Sequence, residues 1–94
     1  MELEWDEAKR AKAKRDREMD FADVARFEAE TIRTFVDDRY AYGELRFNSY
    51  GYLDGVLCTF CWTPRNGRIR VISLRRANER ERKRYEIGED PRHA

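Results

Sequence analysis

The chain has 94 residues, of which 41% are charged and 40% hydrophobic, and its net charge is +1. That length fits one domain with one core, and no apolar run approaches the ~20 residues that a membrane span needs. An aromatic content of 13% argues against a disordered chain, because disordered segments are poor in such residues.

The first six residues, Met1 to Asp6, are acidic and lack the basic-then-apolar layout of a signal peptide, so a cytoplasmic protein is expected. Asp6 suits the N-cap of a charged helix running from Trp5-Asp6-Glu7 to about Arg17. The apolar stripe of that helix is thin: Trp5, Ala8 and Ala11, with Met19 beyond. Asp20 caps a second short helix from Phe21 to about Glu28, with Phe21, Val24 and Ala25 at core-facing spacing. No Gly or Pro separates the two, so a single bent helix fits as well.

From Thr31 the period changes. Thr31 to Val36 is rich in β-branched residues, and residues 37–43 read as a connection. Leu45, Phe47 and Leu53 share one parity, predicting a buried face. Arg46, Asn48, Tyr50 and Tyr52 share the other, a polar-aromatic face. Asp54-Gly55 signals a tight hairpin. The next strand, Val56 to Thr63, ends at Pro64, and Asn66-Gly67 supplies another turn. In the last strand, Arg68 to Leu74, Ile69 and Val71 alternate with Arg68 and Arg70; then Ile72 and Leu74 take over the arginines' parity. Asn78 with Glu81 three positions on is close to a capping box for a final helix. Gly88 stops that helix and Pro91 lies beyond. The expectation is an α+β domain over residues 1–88 with a tail at 89–94. It has one or two N-terminal helices, a three- to four-stranded antiparallel meander and a C-terminal helix.

Cys58 and Cys61 have C-x-x-C spacing but lie in a strand, where positions three apart face opposite sides. They are expected to be buried thiols. The single histidine, His93, leaves no zinc set. Neither a metal nor a cofactor is expected. Charge is unevenly spread: residues 1–47 carry 10 basic against 13 acidic side chains, and residues 48–94 carry 10 against 6. Between Arg65 and Arg84 nine basic residues face two acidic ones, a block that suits RNA or an acidic protein surface.

Several segments resemble the BrnT family in order and spacing. They are Trp5-Asp6-x-x-Lys9, Asp20-Phe21-x-Asp23-x-Ala25, Asp38-Arg39-x-x-x-Gly43-Glu44-x-Arg46, and Arg70-Val71-Ile72-Ser73-Leu74-Arg75-Arg76-Ala77 followed by Glu81 and Tyr85. The resemblance implies a ribonuclease toxin with a fold related to the RelE toxins. It also implies a neighbouring antitoxin, BrnA, that binds DNA to repress the shared operon and assembles with the toxin. One departure stands out. The family commonly carries Lys-His-Gly before the second helix, where this chain has Asp16-Arg17-Glu18.

RNA is cut without a metal when its own 2′-OH attacks the adjacent phosphate, provided cations meet the developing charge. With no usable catalytic histidine, arginine is the natural phosphate ligand. Arg70 and Arg75 are the first choices; either could instead pair with Glu44 or Glu81 and knit sheet to helix. Glu44 and Glu81 are the candidate bases, and Tyr85 is an acid candidate or a residue docking its helix. Arg46 and Tyr50, with Tyr52, suit RNA binding or a covered interface, and Arg68 and Arg76 extend the basic face. The partners expected are RNA, a BrnA-like antitoxin and a second copy or hetero-oligomer, with no membrane. The alternative is a binding module without nuclease activity.

Overall fold

The computed structural model describes residues 2–39 and 41–92. His93, like Ala94, lies outside the described residues, as do Met1 and Tyr40. Five strands, β1 (Leu3–Trp5), β2 (Arg33–Val36), β3 (Phe47–Leu53), β4 (Val56–Arg65) and β5 (Arg68–Arg76), form one sheet in the order β1-β5-β4-β3-β2. Two α-helices, α1 (Glu7–Arg17) and α2 (Glu79–Glu86), stand near the ends of the chain. No helix among the described residues is long and apolar enough to cross a membrane.

The α+β class holds, but the sheet is larger than the expected meander and is mixed. β2 to β5 pair antiparallel, whereas β1 lies parallel to β5, with Leu3 opposite Ile69 and Trp5 opposite Val71. Three residues are too few to show alternation, so β1 leaves no periodic signal. Trp5 therefore ends a strand rather than opening the helix, and Asp6 does cap α1, accepting from the N–H groups of Ala8 and Lys9.

The predicted stripe on α1 is corrected in the structure. Ala8 and Ala11 are exposed and only Ala13 is buried. Arg10 does the anchoring instead: it grips Asp20 through Nε at 2.7 Å and Nη2 at 3.0 Å, and lies 5.2 Å over the Trp5 ring. The second helix is a 3₁₀ helix, Phe21–Arg26, followed by a short 3₁₀ turn at Ala29–Thr31. Residues three apart eclipse in that geometry, so Phe21, Val24 and Phe27 line the core and Ala25 is exposed.

Helix α1 ends at Glu18, which takes the left-handed conformation at φ 56° and donates its N–H to the Ala13 carbonyl. The chain thus breaks between the two helices despite having no glycine there. A side chain in that conformation is strained by about 1 kcal/mol, and Glu18 is exposed. Glu18→Gly is therefore expected to stabilise the fold by about 1 kcal/mol, raising Tm by several degrees in a domain of this size. An unchanged or lower Tm would show that the turn carries no such strain.

One face of the sheet is covered by α1 and the 3₁₀ segments. Phe21, Val24, Phe27, Leu53, Cys58, Phe60, Val71 and Leu74 form this core, with Trp5 and Trp62 packed against it. Gly51 lets the chain around Ile32 approach β3: a Cβ there would meet Ile32 Cγ1 at 3.1 Å and Phe27 Cδ2 at 3.2 Å. The parity switch in β5 has a structural cause. Cys61 pairs with Ser73 and Trp62 with Val71, so Ile72 is an extra residue on β5. This bulge lets Val71 and Leu74 both enter the core.

The opposite face is covered at one end, where Tyr85 of α2 and Ala77 just before that helix pack on Tyr50 and Leu57. Tyr50 is thus buried rather than displayed, and Leu45, expected in the core, is 54% exposed, because β3 begins only at Phe47. Asp54-Gly55 and Asn66-Gly67 make the two turns with φ between 51° and 77°, as two-residue hairpins require. Beyond α2, Gly88 turns the chain at φ 81°. Residues 89–92 then fold back on the domain, with Pro91 almost wholly buried.

Candidate active site

The uncovered part of that second sheet face forms a cleft of about 370 Å³. Its floor comes from β3, β4 and β5: Asn48, Tyr50, Thr59, Cys61, Ser73 and Arg75. Glu81 of α2 closes one side; Asp37, Arg39, Tyr42 and Arg46, flanking β2 and β3, close another, and Arg92 reaches in from the C-terminal segment. Four arginines thus converge on the cleft, each paired with a carboxylate: Asp37 and Glu81 in its lining, Glu44 and Asp90 beside it.

Glu81 organises the α2 side. Its carboxylate accepts from Arg75 Nη1 at 2.8 Å and Nη2 at 2.9 Å, from the Tyr50 hydroxyl at 2.7 Å and from the Asn78 N–H at 2.8 Å. In return the Glu81 N–H donates to the Asn78 side chain at 2.8 Å, completing the capping box. Burial alone would raise the Glu81 carboxyl, but Arg75, Asn78 and Tyr50 outweigh it and hold the pKa at about 2. Tyr50 responds oppositely: burial and then the neighbouring Glu81 push its phenol up to about 12. Arg75 is fixed by a buried anion yet remains 42% exposed. It meets Glu81 end-on, so its Nε edge is not part of the pair.

Asp37 plays the matching part at the other side. Its side chain is wholly buried and accepts from Arg39 Nε at 2.9 Å and Nη2 at 2.9 Å. The Arg39 guanidinium holds the Asp37 carboxyl at about 2. Arg46 lies 3.8 Å over the Tyr42 ring and pairs with Glu44 at 2.9 Å. Cys58 and Cys61 are buried free thiols. Cys58 joins the core while Cys61 lines the cleft, so they lie on opposite faces, and burial pushes both thiols up.

The structure brings only part of the predicted set together. Arg75, Arg46 and Tyr50 line the cleft. Arg70 is held by Glu4 of β1 at 2.9 Å and is not among the lining residues. Glu44 touches the cleft through Arg46. Tyr85 is buried; its hydroxyl donates to the Thr31 carbonyl, and Arg33 lies 4.0 Å over its ring. Arg68 pairs with Glu2 at 3.1 Å beside the β4–β5 turn. Arg76 lies beside Arg75 on a shallower groove along α1, with Asp16, Arg17 and Glu18. Sequence reasoning missed Asp37, Arg39 and Arg92, which come from a connection and a tail where no periodicity points to a face.

A family model described as ribonuclease toxin, BrnT, of type II toxin-antitoxin system matches residues 5–81. No curated protein matches the chain. The matched span contains every cleft residue named above except Arg92.

Proposed function

The chain belongs to the BrnT family of ribonuclease toxins of type II toxin–antitoxin systems, and from that premise we propose that RNA is cut in the cleft beside Arg75 without a metal ion. In this reaction the 2′-oxygen bonds to the adjacent phosphorus as its proton leaves. The 5′-oxygen departs with a proton, and a cyclic phosphate remains. Negative charge builds on the non-bridging oxygens, where fixed cations are most effective. The observation that carries the reading is the convergence of four arginines on one concave site, two of them, Arg75 and Arg39, held by buried carboxylates. A guanidinium held in place donates to phosphate with little loss of freedom.

Asp37 and Glu81, both held at about 2, are poor proton acceptors near neutrality and serve to aim their arginines. Glu44, less deeply placed beside Arg46, is the better-situated base for the 2′-OH. Arg46 on the Tyr42 ring offers a flat surface on which an unpaired base can stack. We assign Tyr85 to docking α2, and Arg70 to fastening β1 to β5. Arg17 supplies positive charge where the family resemblance expects Lys-His, donating to the Leu74 carbonyl at 3.1 Å next to Arg75.

A type II toxin is neutralised by a protein antitoxin. We take that partner to be BrnA-like and DNA-binding, assembled with the toxin in the cytoplasm. Val36, Leu45, Val56 and Ile87 are apolar side chains left exposed in this chain, and a partner could cover them.

The cleavage reading is tested with purified protein and single-stranded RNA in excess EDTA. Cleavage is expected to persist, leaving cyclic-phosphate and 5′-hydroxyl ends, and RNA methylated at the 2′-oxygen should stay intact. Among the described residues no three His, Cys, Asp or Glu side chains are grouped to hold a metal. Activity lost in EDTA and restored by zinc or manganese would overturn the mechanism.

A further inference from the structure

The C-terminal segment lies outside the matched span 5–81, yet it is tightly built. Gly88 reverses the chain and donates to the Tyr85 carbonyl at 3.1 Å. The Glu89 N–H donates to the Arg84 carbonyl at 2.9 Å, and Arg84 Nε to the Asp90 carbonyl at 3.1 Å. Pro91 is buried at under 2% exposure. The outcome of this folding is the placement of one side chain, Arg92, at the cleft.

Arg92 is held as firmly as Arg75. Asp90 accepts from its Nε at 3.0 Å and Nη2 at 2.8 Å, and also from its backbone N–H at 2.9 Å. Nη1 donates to the Val36 carbonyl at the edge of β2, and the guanidinium lies 5.0 Å from the Phe35 ring centre. A guanidinium has five N–H donors. Those contacts use the Nε–H and one hydrogen on each terminal nitrogen, so two donors remain for a ligand. An arginine serving only to fasten a tail to β2 would not need to line the same concavity as Arg75, Arg46 and Arg39.

We propose that Gly88–Arg92 supplies a second phosphate subsite, in which Arg92 holds a backbone phosphate flanking the one cut beside Arg75. The proposal rests on the reading of the cleft as the RNA site. A single-stranded substrate has one phosphate per nucleotide, so a cleft with arginines on opposite sides fits successive phosphates of one strand. Arg75 then acts on the reacting phosphate, and Arg92 sets the register of the strand.

The test is equilibrium binding of a short single-stranded 2′-O-methyl RNA, which lacks the hydroxyl needed for cleavage, over a series of salt concentrations. The proteins compared are the full chain, Arg92→Ala, Arg92→Lys and Arg75→Ala, each with its Tm. Arg92→Ala is expected to weaken binding about tenfold and to flatten the slope of log K against log salt by about 0.7, the loss of one phosphate contact on a single strand. Arg92→Lys should keep the slope. If Arg92→Ala lowers Tm but leaves affinity and slope unchanged while Arg75→Ala weakens binding, the segment is a structural tie and the subsite is refuted. Loss of antitoxin binding with RNA binding intact also refutes it. If neither variant alters RNA binding, the reading of the cleft itself fails, and the subsite with it.

Discussion

Arg75→Ala is expected to lower RNA cleavage by about two to three orders of magnitude, the cost of removing one preorganised donor to a charge that develops in the transition state. The folded protein should survive the change. Glu81 would still accept from the Tyr50 hydroxyl and the Asn78 N–H, so its buried carboxylate keeps two of its donors. Some stability is lost, on the order of 1–3 kcal/mol, because a charged hydrogen-bond partner is gone. Arg75→Lys should rescue little: a point charge reaches one oxygen of Glu81 or one of the phosphate, and cannot grip the first while presenting an edge to the second. Arg70→Ala is the matched control, since it breaks a similar arginine–glutamate pair at 2.9 Å outside the cleft and is expected to change cleavage by a few-fold at most. Melting temperature and cleavage on the same preparations separate the readings. An Arg75→Ala protein that is less stable yet cuts RNA undiminished would leave Arg75 as a sheet-to-helix tie.

The paired outcomes for Arg70 and Arg75 mark how far the sequence reading reached. Both arginines sit on β5 five residues apart, and both have a glutamate partner. Nothing in the local pattern separates them. What does is the parallel strand β1, which brings Glu4 against Arg70, and the capping box of α2, which brings Glu81 against Arg75. The capping box was legible because its residue types and spacing are local; β1 was not, because a three-residue strand has no period. The two Asx-Gly hairpins and the polar-aromatic parity of β3 were legible for the same local reason. That α2 covers part of the β3 face, burying Tyr50 while leaving Asn48 at the cleft, is a matter of packing between elements distant in the chain. The β5 bulge lies in between: the parity switch was visible as an irregularity, and the register of β4 against β5 explains it.

Asp37 and Arg39 were harder to see than Arg75. A connection has no face, so its charged residues read as solvated. Here the connection folds back so that Asp37 donates its N–H to the Arg46 carbonyl at 2.8 Å, carrying its carboxylate inward to meet Arg39. The cleft consequently has on each side one arginine, Arg75 or Arg39, aimed by a buried acid. An arginine-lined site built this way resists collapse onto its own carboxylates, because each acid is already satisfied before a phosphate arrives.

Acidification should unfold the protein over the range in which those acids take up protons. Glu81 titrates at about 2 in the folded chain against an ordinary 4.5. A depressed carboxyl contributes its full stabilisation above the unfolded pKa, and that contribution disappears as pH falls through the folded one. The window is therefore pH 4.5 down to about 2, and the shift corresponds to roughly 3 kcal/mol. That is a large share of the stability of a small domain, and Asp37, also depressed to about 2, acts in the same direction. Glu81→Gln removes the titrating charge while keeping a side chain that can still close the capping box. It is expected to lower stability at neutral pH by about 2–3 kcal/mol and to flatten the fall of stability between pH 4.5 and 2. Cleavage should fall as well, because Arg75 loses the anion that aims it. Chemical denaturation of both proteins at a series of pH values gives the two curves. If they run parallel through that window, Glu81 is not the group whose protonation unlocks α2 from the sheet. The interpretation of Arg75 as an arginine held in place by a buried acid would then have to be abandoned.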